Sequence, residues 1–131
     1  MKQIKTFEDA CKVKGYNPET VLPDFSVFPE QHKKALTATS KLIIVNEAMN
    51  YVDNGNKDWT PDWTNCEEDK YYPWFDLEKA ENNPSGFRLH AVRCDDAYSS
   101  VGSRLVYRTR KLAEYAAKQF ESLYRDLMVL E

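Results

Sequence analysis

The segment from Pro29 to Val52 constrains the fold most, because its apolar residues follow helical spacing on two sides. Pro29 suits the first turn of a helix, and Asn54-Gly55 provides a left-handed stop. A helix that is apolar on two sides must be covered on two sides. The sequence therefore predicts a central helix around which the rest of the chain is arranged. One stripe comprises Ala35, Ala38, Leu42, Val45, Met49 and Val52, and the other comprises Leu36, Ile43, Ile44 and Tyr51.

The length and composition are those of one folded domain, which we expect to span residues 1–131. A chain of 131 residues buries about two-thirds of its unfolded surface on folding. Hydrophobic residues make up 42%, charged residues make up 30%, and the net charge is −3, a balance that argues against disorder. The sequence contains neither an apolar run of about 18 residues nor the apolar core of a signal peptide. We therefore expect a cytoplasmic protein without a membrane partner.

Two further helices with polar caps complete the predicted helical part of the chain. Thr6 has the character of an N-cap, and Gly15 ends the short helix that follows it. Thr109 likewise caps a last helix, which runs to about Met128. Its apolar stripe comprises Leu112, Tyr115, Ala116, Phe120, Leu123 and Leu127.

Three segments between the central and the last helix have the patterns of strands. The segment 71–75 is aromatic, with Pro73 confining it to a sheet edge or a bulge. The segments 87–92 and 103–108 alternate between apolar and polar residues. The predicted fold is therefore α+β, with two N-terminal helices, a three-stranded antiparallel sheet and a C-terminal helix packed on that sheet. A second copy of the chain remains a candidate for covering the second stripe of the central helix.

Two polar residues interrupt the apolar stripes of the predicted helices. Glu47 falls within the second stripe of the central helix, where a buried carboxylate costs several kcal/mol unless it is paired. A salt bridge to an arginine or a position at the edge of the stripe explains it structurally, and a catalytic acid is the alternative. Gln119 needs a partner in the same way, either a backbone group or a protonated Glu47.

Metal binding and nucleophilic catalysis have weak support in the sequence. The three cysteines lack the spacing of a disulfide framework, which favours reduced thiols. The segment 53–58 superficially resembles a calcium loop but lacks the alternating carboxylates and the closing Glu. We predict no metal, cofactor or catalytic residue. The zinc candidates are His32, Cys66, His90 and Cys94, and the candidates for a nucleophilic site are Cys94 or Ser99 with His90 and Asp95.

The strongest chemical signal is a cluster of basic residues with aromatic residues nearby. The alternation within the predicted strands places Arg88, Arg104 and Arg108 on one exposed sheet face. Such a face binds single-stranded nucleic acid by charge and base stacking. As an alternative, the acidic stretch 53–69 folds back and neutralises these arginines. The predicted contact residues are Arg88, Arg93, Arg104, Arg108, Arg110, Lys111, Tyr72, Trp74 and Tyr98.

Several motifs give the chain a resemblance to a known group of proteins. They are Tyr71-Tyr72-Pro73-Trp74-Phe75, Gly86-Phe87, Val101-Gly102-Ser103-Arg104-Leu105, Leu112-Ala113-Glu114-Tyr115-Ala116 and Lys118-Gln119-Phe120. Together they resemble small uncharacterised proteins encoded by phages and prophages of gut bacteria. The resemblance implies a phage-derived context in the bacterial cytoplasm, and it supplies no established activity, cofactor or catalytic residue.

Three functions follow as hypotheses from these observations. The leading one is a non-enzymatic accessory interaction protein that acts through a protein-binding or self-association surface. The alternative is a module that binds single-stranded nucleic acid through the basic and aromatic sheet face. A small enzyme of unknown class that uses Glu47, His90 or the cysteines is the third.

Overall fold

The structure is a computed structural model that describes residues 1–130. Its elements in chain order are the helices α1 (Phe7–Lys14) and α2 (Glu30–Asp53), the strands β1 (Lys70–Asp76) and β2 (Arg88–Asp95), and the helices α3 (Arg110–Gln119) and α4 (Glu121–Met128). The predicted α+β class with an antiparallel sheet is therefore confirmed. Among residues 1–130, no helix combines the length and the apolar character that crossing a membrane requires.

Local hydrogen bonds at both ends explain where α1 begins and ends. The Thr6 hydroxyl accepts the backbone N–H of Asp9 at 3.1 Å, and the Asp9 carboxylate accepts the backbone N–H of Thr6 at 3.2 Å. Gly15 adopts a left-handed φ of 76° after the last turn. The N–H of Tyr16 can then donate to the carbonyl of Cys11 at 2.9 Å, which ends the helix.

The longest helix, α2, is covered on two sides, as its two stripes predict. Helix α4 packs along one side with a smaller contribution from α3, and α1 packs along another side. The first stripe is the more deeply buried, since Leu42, Val45 and Met49 are inaccessible to solvent. The second stripe is half-buried. Gly55, with a φ of 69°, ends this helix and lets the N–H of Asn56 donate to the carbonyl of Tyr51 at 3.0 Å.

The sheet within the described residues has two strands, so the predicted third strand is wrong. Strands β1 and β2 pair antiparallel from Lys70 opposite Asp95 to Asp76 opposite Arg88. The segment 103–108 adds a single bridge, in which Tyr107 and Tyr71 exchange backbone hydrogen bonds of 2.7 and 3.0 Å.

Side chains of α2 take the place of a further strand beside this bridge. The amides of Asn46 and Asn50 donate to the carbonyl of Val106 at 2.7 and 3.0 Å. The side-chain oxygen of Asn50 accepts the N–H of Arg108 at 2.9 Å. The Val106 carbonyl and the Arg108 N–H are therefore satisfied without a strand partner, and Thr109 caps the next helix one residue later.

The predicted C-terminal helix is interrupted once. Phe120, with a φ of −113°, leaves the helical region and separates α3 from α4. Its side chain is 5% exposed and belongs to the core. Nothing in the local sequence, which lacks Pro and Gly, marks this break.

Candidate binding surface on the β-hairpin

The two faces of the hairpin have different environments because successive side chains of a strand point to opposite sides. On the inner side, Tyr71 and Phe75 pack against the core. The Phe75 ring stacks on Phe87 with a centroid separation of 4.5 Å. Tyr71 gives its backbone groups to Tyr107, so the backbone of Pro73, two residues on, also points away from β2. Its missing N–H therefore costs no bond to β2, as expected for an edge position.

The outer side is covered over the first half of β1 by two loops. The Lys70 side chain is completely buried, and its ammonium group donates to the carbonyls of Asn65 and Asp96, both at 2.9 Å. The Tyr72 hydroxyl donates to the Ser100 hydroxyl at 3.0 Å and is buried beneath that loop. This cover ends before Trp74, so the second half of the outer side is open to solvent.

We call the open half the Trp74 surface, defined by Trp74, Leu77, His90 and Arg93. Trp74 and Leu77 are each 46% exposed, and they line a shallow depression of about 260 Å³ with His90. The Arg93 guanidinium lies 4.6 Å from the centroid of the Trp74 ring. The His90 ring approaches Trp74 edge-on, with centroids 5.3 Å apart and an interplanar angle of 72°. These two neighbours hold the exposed indole in place.

A bulge contributes to this arrangement. The pairing register shifts between Trp74 and Phe75, because Trp74 lies opposite Ala91 whereas Phe75 lies opposite Leu89. His90 is therefore the extra residue, and its side chain lies on the same side as Trp74. Bulges re-aim side chains in this way, often beside functional sites.

The charges around the Trp74 surface are unevenly compensated. At its edge Asp76 binds Arg88, with the carboxylate oxygen 3.2 Å from the guanidinium. The backbone N–H of Glu78, and then the Arg88 guanidinium, lower the pKa of Asp76. Within residues 1–130, Arg93 has no carboxylate at ion-pair distance and makes its one contact with the Trp74 ring.

The predicted nucleic-acid contact residues occupy different parts of the molecule. Trp74 and Arg93 come together, whereas Arg88 is paired with Asp76 and Tyr72 is buried under a loop. Arg104 lines a separate cavity beside α2. Since 103–108 forms no strand, the alternation that grouped Arg104 with Arg88 does not apply.

The remaining basic candidates divide into bound and exposed residues. Arg108 binds the carboxylate of Asp53 at 2.6 Å, so the acidic stretch 53–69 neutralises this arginine. Arg110 donates to the carbonyl of Val92 at 2.7 Å, with its guanidinium 5.2 Å from the Tyr71 ring. Lys111 and Tyr98 are exposed, Tyr98 to 89%.

The candidate nucleophiles and metal ligands are not assembled into one site. The Ser99 hydroxyl accepts the N–H of Gly102 at 2.6 Å, and Asp95 accepts the N–H of Ser100 at 2.6 Å. Cys66 and Cys94 are exposed, and burial raises the pKa of the Cys11 thiol. No group of three or more His, Cys, Asp or Glu side chains in residues 1–130 is arranged to hold a metal ion.

Glu47 makes no salt bridge with an arginine of residues 1–130, which leaves the other predicted explanation, a position at the edge of the stripe. It is half-buried and accepts the hydroxyl of Tyr16 at 2.6 Å. That hydrogen bond to the carboxylate raises the pKa of Tyr16. Gln119 finds the predicted backbone partner, since its amide donates to the carbonyl of Lys5 at 2.8 Å.

The Trp74 surface combines an exposed indole, an aliphatic side chain and a guanidinium on one side of the bulged hairpin. Trp74 and Arg93 are among the contact residues predicted from the sequence, whereas Leu77 and the role of His90 are not. The unpaired position of His90 follows from the bulge, which depends on pairing between distant residues. No protein-family model, curated protein or solved structure matches this chain.

Proposed function

We propose that the protein is a non-enzymatic accessory interaction protein that binds a partner protein through the Trp74 surface. The observation that carries this proposal is the exposure of Trp74 beside Leu77 with Arg93 on its ring. Trp and Arg are the residues most enriched at the energetic centres of protein interfaces. The resemblance to phage and prophage proteins supports a role in the bacterial cytoplasm.

The chemistry of the surface indicates what the partner presents. Trp74 and Leu77 provide apolar area beside a depression that one apolar side chain can enter. Arg93 lacks a carboxylate partner within the described residues, whereas Arg88 has one in Asp76. We therefore expect a partner segment with an apolar side chain next to an Asp or Glu, so that the carboxylate pairs with Arg93.

A selection from a random peptide library displayed on phage, with the purified protein as bait, tests this proposal. We expect enriched peptides to combine an aliphatic or aromatic residue with Asp or Glu. Trp74→Ala is expected to weaken their binding by about 30-fold, the effect of a hot-spot residue. Phe28→Ala is the matched control, because Phe28 is an aromatic residue with 45% exposure near the start of α2.

The charge requirement has its own control. Arg93→Glu is expected to abolish binding of the acidic peptides, and Arg88→Gln is expected to change it little. Peptides that bind Trp74→Ala as tightly as the unmodified protein would contradict the proposal. Light scattering tests whether the partner is a second copy of the chain. In that case the average molar mass would rise with protein concentration, and it would be lower for Trp74→Ala than for the unmodified protein.

Single-stranded nucleic acid is the second candidate ligand, and the contact between Arg93 and Trp74 favours it. An indole beside a guanidinium can stack a base and bind its phosphate. The net charge of −3 opposes this function, because a polyanion is repelled by a negative protein. A fluorescently labelled oligonucleotide titrated at two salt concentrations tests it. Binding must weaken steeply as salt rises and must decrease in Trp74→Ala.

A further inference from the structure

A second cavity lies against α2, on a part of the molecule that the Trp74 surface does not include. It has a volume of about 280 Å³ and is bounded by Ile43 and Glu47 of α2, by Trp59 and Pro61, and by Arg104. A neighbouring depression shares Glu47 and Trp59 and extends towards Tyr16. Glu47 therefore stands between the two spaces.

The walls of this cavity are fixed by contacts within the protein. Asn46 and Asn50, which form part of its floor, are held by their hydrogen bonds to the segment 106–108. The indole N–H of Trp63 donates to the Ser103 hydroxyl at 2.7 Å, which ties one wall to the other. Pro61 is buried. The cavity is thus preformed, as small-molecule sites usually are.

Two opposite charges in this cavity lack counterions. Glu47 is bound by the Tyr16 hydroxyl, and no cation of residues 1–130 lies within the 4.0 Å ion-pair distance of it. Among the arginines of residues 1–130, Arg104 alone has no ion pair, hydrogen bond or ring contact of its side chain. The indole N–H of Trp59 has no acceptor in residues 1–130 either.

The other charged groups near Glu47 satisfy each other. The Lys14 ammonium binds the carboxylate of Asp58 at 2.6 Å and lies 4.1 Å from the centroid of the Tyr51 ring. This pair is neutral, so one negative group, Glu47, and one positive group, Arg104, remain for a ligand. The complementary ligand carries one cationic and one anionic group.

Size and polarity narrow the ligand further. A volume of about 280 Å³ is near the lower limit of ligand pockets, so a compact molecule is required. Ile43, Trp59 and Pro61 also line the cavity and offer apolar area for a side chain of the ligand. We propose that this cavity binds an apolar free amino acid, with Glu47 contacting its ammonium group and Arg104 its carboxylate.

The proposal is tested by following the indole N–H resonance of Trp59 while amino-acid analogues are added to the full chain. The probes are L-leucine, leucinamide, which lacks the carboxylate, and N-acetylleucine, which lacks the ammonium group. The pH is mildly acidic so that the amine of leucinamide is protonated. We expect a saturable shift with L-leucine and affinities at least tenfold lower for both analogues.

Variants then assign each end of the ligand to a residue. Glu47→Gln keeps an acceptor for the Tyr16 hydroxyl. It is expected to lower the affinity for L-leucine and leucinamide but leave the affinity for N-acetylleucine unchanged. Arg104→Gln is expected to lower the affinity for L-leucine and N-acetylleucine but leave the affinity for leucinamide unchanged. Glu114→Gln and Lys79→Gln are the matched controls, because each removes one exposed charge away from both the cavity and the Trp74 surface and is expected to change nothing.

Two results would overturn the proposal. The absence of a saturable shift with L-leucine up to millimolar concentration is one, and it includes the case in which Glu47 and Arg104 bind each other in solution. Equal affinity of the unmodified protein for all three probes is the other, and it needs no variant to fold. Neither result depends on the Trp74 surface, which these probes do not test.

Discussion

Lys70 has a completely buried side chain, and the contacts around its ammonium group explain how the charge is tolerated. The ammonium group donates hydrogen bonds to the backbone carbonyls of Asn65 and Asp96, and a Glu68 carboxylate oxygen lies 3.7 Å away. The Trp63 ring lies 5.2 Å from the ammonium nitrogen. One side chain thereby fastens two loops to the outer side of β1. These two loops cover the outer side of β1 only as far as Tyr72, so Trp74 stays exposed.

Replacing Lys70 with methionine keeps most of the volume and removes the donors. The carbonyls of Asn65 and Asp96 then lose their partner, so we expect the free energy of unfolding to fall by about 1–3 kcal/mol. Urea denaturation measures the change. Lys118→Met is the control, because Lys118 makes an exposed pair with Glu114 and is expected to contribute less than about 0.5 kcal/mol. An equal effect of both substitutions would contradict this role of Lys70.

Two buried tyrosines make the stability of the protein sensitive to alkaline pH. The hydroxyls of Tyr107 and Tyr124 are 2.8 Å apart in the core. Burial raises the pKa of Tyr107 to about 12 and the pKa of Tyr124 well above its usual value of 10.0. The folded state therefore keeps both protons at a pH where the unfolded state has lost them.

The free energy of unfolding should consequently be constant with respect to these groups below pH 10 and fall above it. The slope is about 1.4 kcal/mol per pH unit for each tyrosine until the pH passes the folded pKa. Denaturant unfolding on both sides of pH 10 measures this slope. Tyr124→Phe should reduce this slope by the contribution of one tyrosine. Tyr98→Phe, at an 89% exposed residue, should leave the slope unchanged. A slope that is the same in Tyr124→Phe would refute the assignment.

At the scale of elements, the asparagines of α2 explain why the segment 106–108 is extended without joining a ladder. Asn50 bonds to both the Val106 carbonyl and the Arg108 N–H. Asn46 donates to the Val106 carbonyl, makes no bond to Arg108, and accepts the Asn50 amide at 3.1 Å. The pair is buried, and the Arg108 N–H depends on Asn50 alone, whereas the Val106 carbonyl keeps one donor when either asparagine is lost.

This difference gives a test with an internal control. In Asn50→Ala the amide of Arg108 loses its acceptor, so we expect its hydrogen exchange to accelerate by at least tenfold relative to the amide of Tyr107. In Asn46→Ala that acceptor remains, and the Arg108 amide should keep its protection. Exchange measured by NMR at the two amides decides between these outcomes. Fast exchange at Arg108 in the unmodified protein would show that the bond to Asn50 is not formed.

The elements that could be predicted from the sequence are those fixed by local contacts. The caps of α1 and the end of α2 depend on residues within about one helical turn, such as Thr6 with Asp9 and Gly55 with Val52. The alternation of 103–108 predicted a strand that does not form, since Ser103 and Arg104 lie in a turn and Tyr107 alone pairs with β1. The hydrogen-bond partners of Val106 and Arg108 could not be predicted, because they are the side chains of Asn46 and Asn50, more than 50 residues away.

The same reason explains what could be predicted of the candidate surface. Trp74 and Arg93 were selected by residue type, and the hairpin register brings them together. The compensation of Arg88 by Asp76 and of Arg108 by Asp53 depends on tertiary contacts that leave no local pattern. Composition therefore overestimated the size of the basic face, because it counted charges without their partners.

At the scale of the whole molecule, the N-terminal residues join the two ends of the described chain. Ile4 is completely buried in the main core. Its carbonyl accepts the Tyr115 hydroxyl at 2.6 Å, and the next carbonyl, that of Lys5, accepts the Gln119 amide. The segment before α1 is thus attached to α3, while α1 itself packs on α2.

Because these contacts link both ends to one core, damage at Ile4 should weaken the whole fold at once. Ile4→Ala removes methyl groups from a closed site and is expected to lower the free energy of unfolding by about 2–5 kcal/mol. Urea unfolding followed by tryptophan fluorescence and by circular dichroism should show one coincident transition with an unchanged slope. Val27→Ala is the control, because Val27 is 94% exposed and should change stability by less than about 0.5 kcal/mol. Two separate transitions in Ile4→Ala would show that the N-terminal segment and α1 unfold independently of the core around α2.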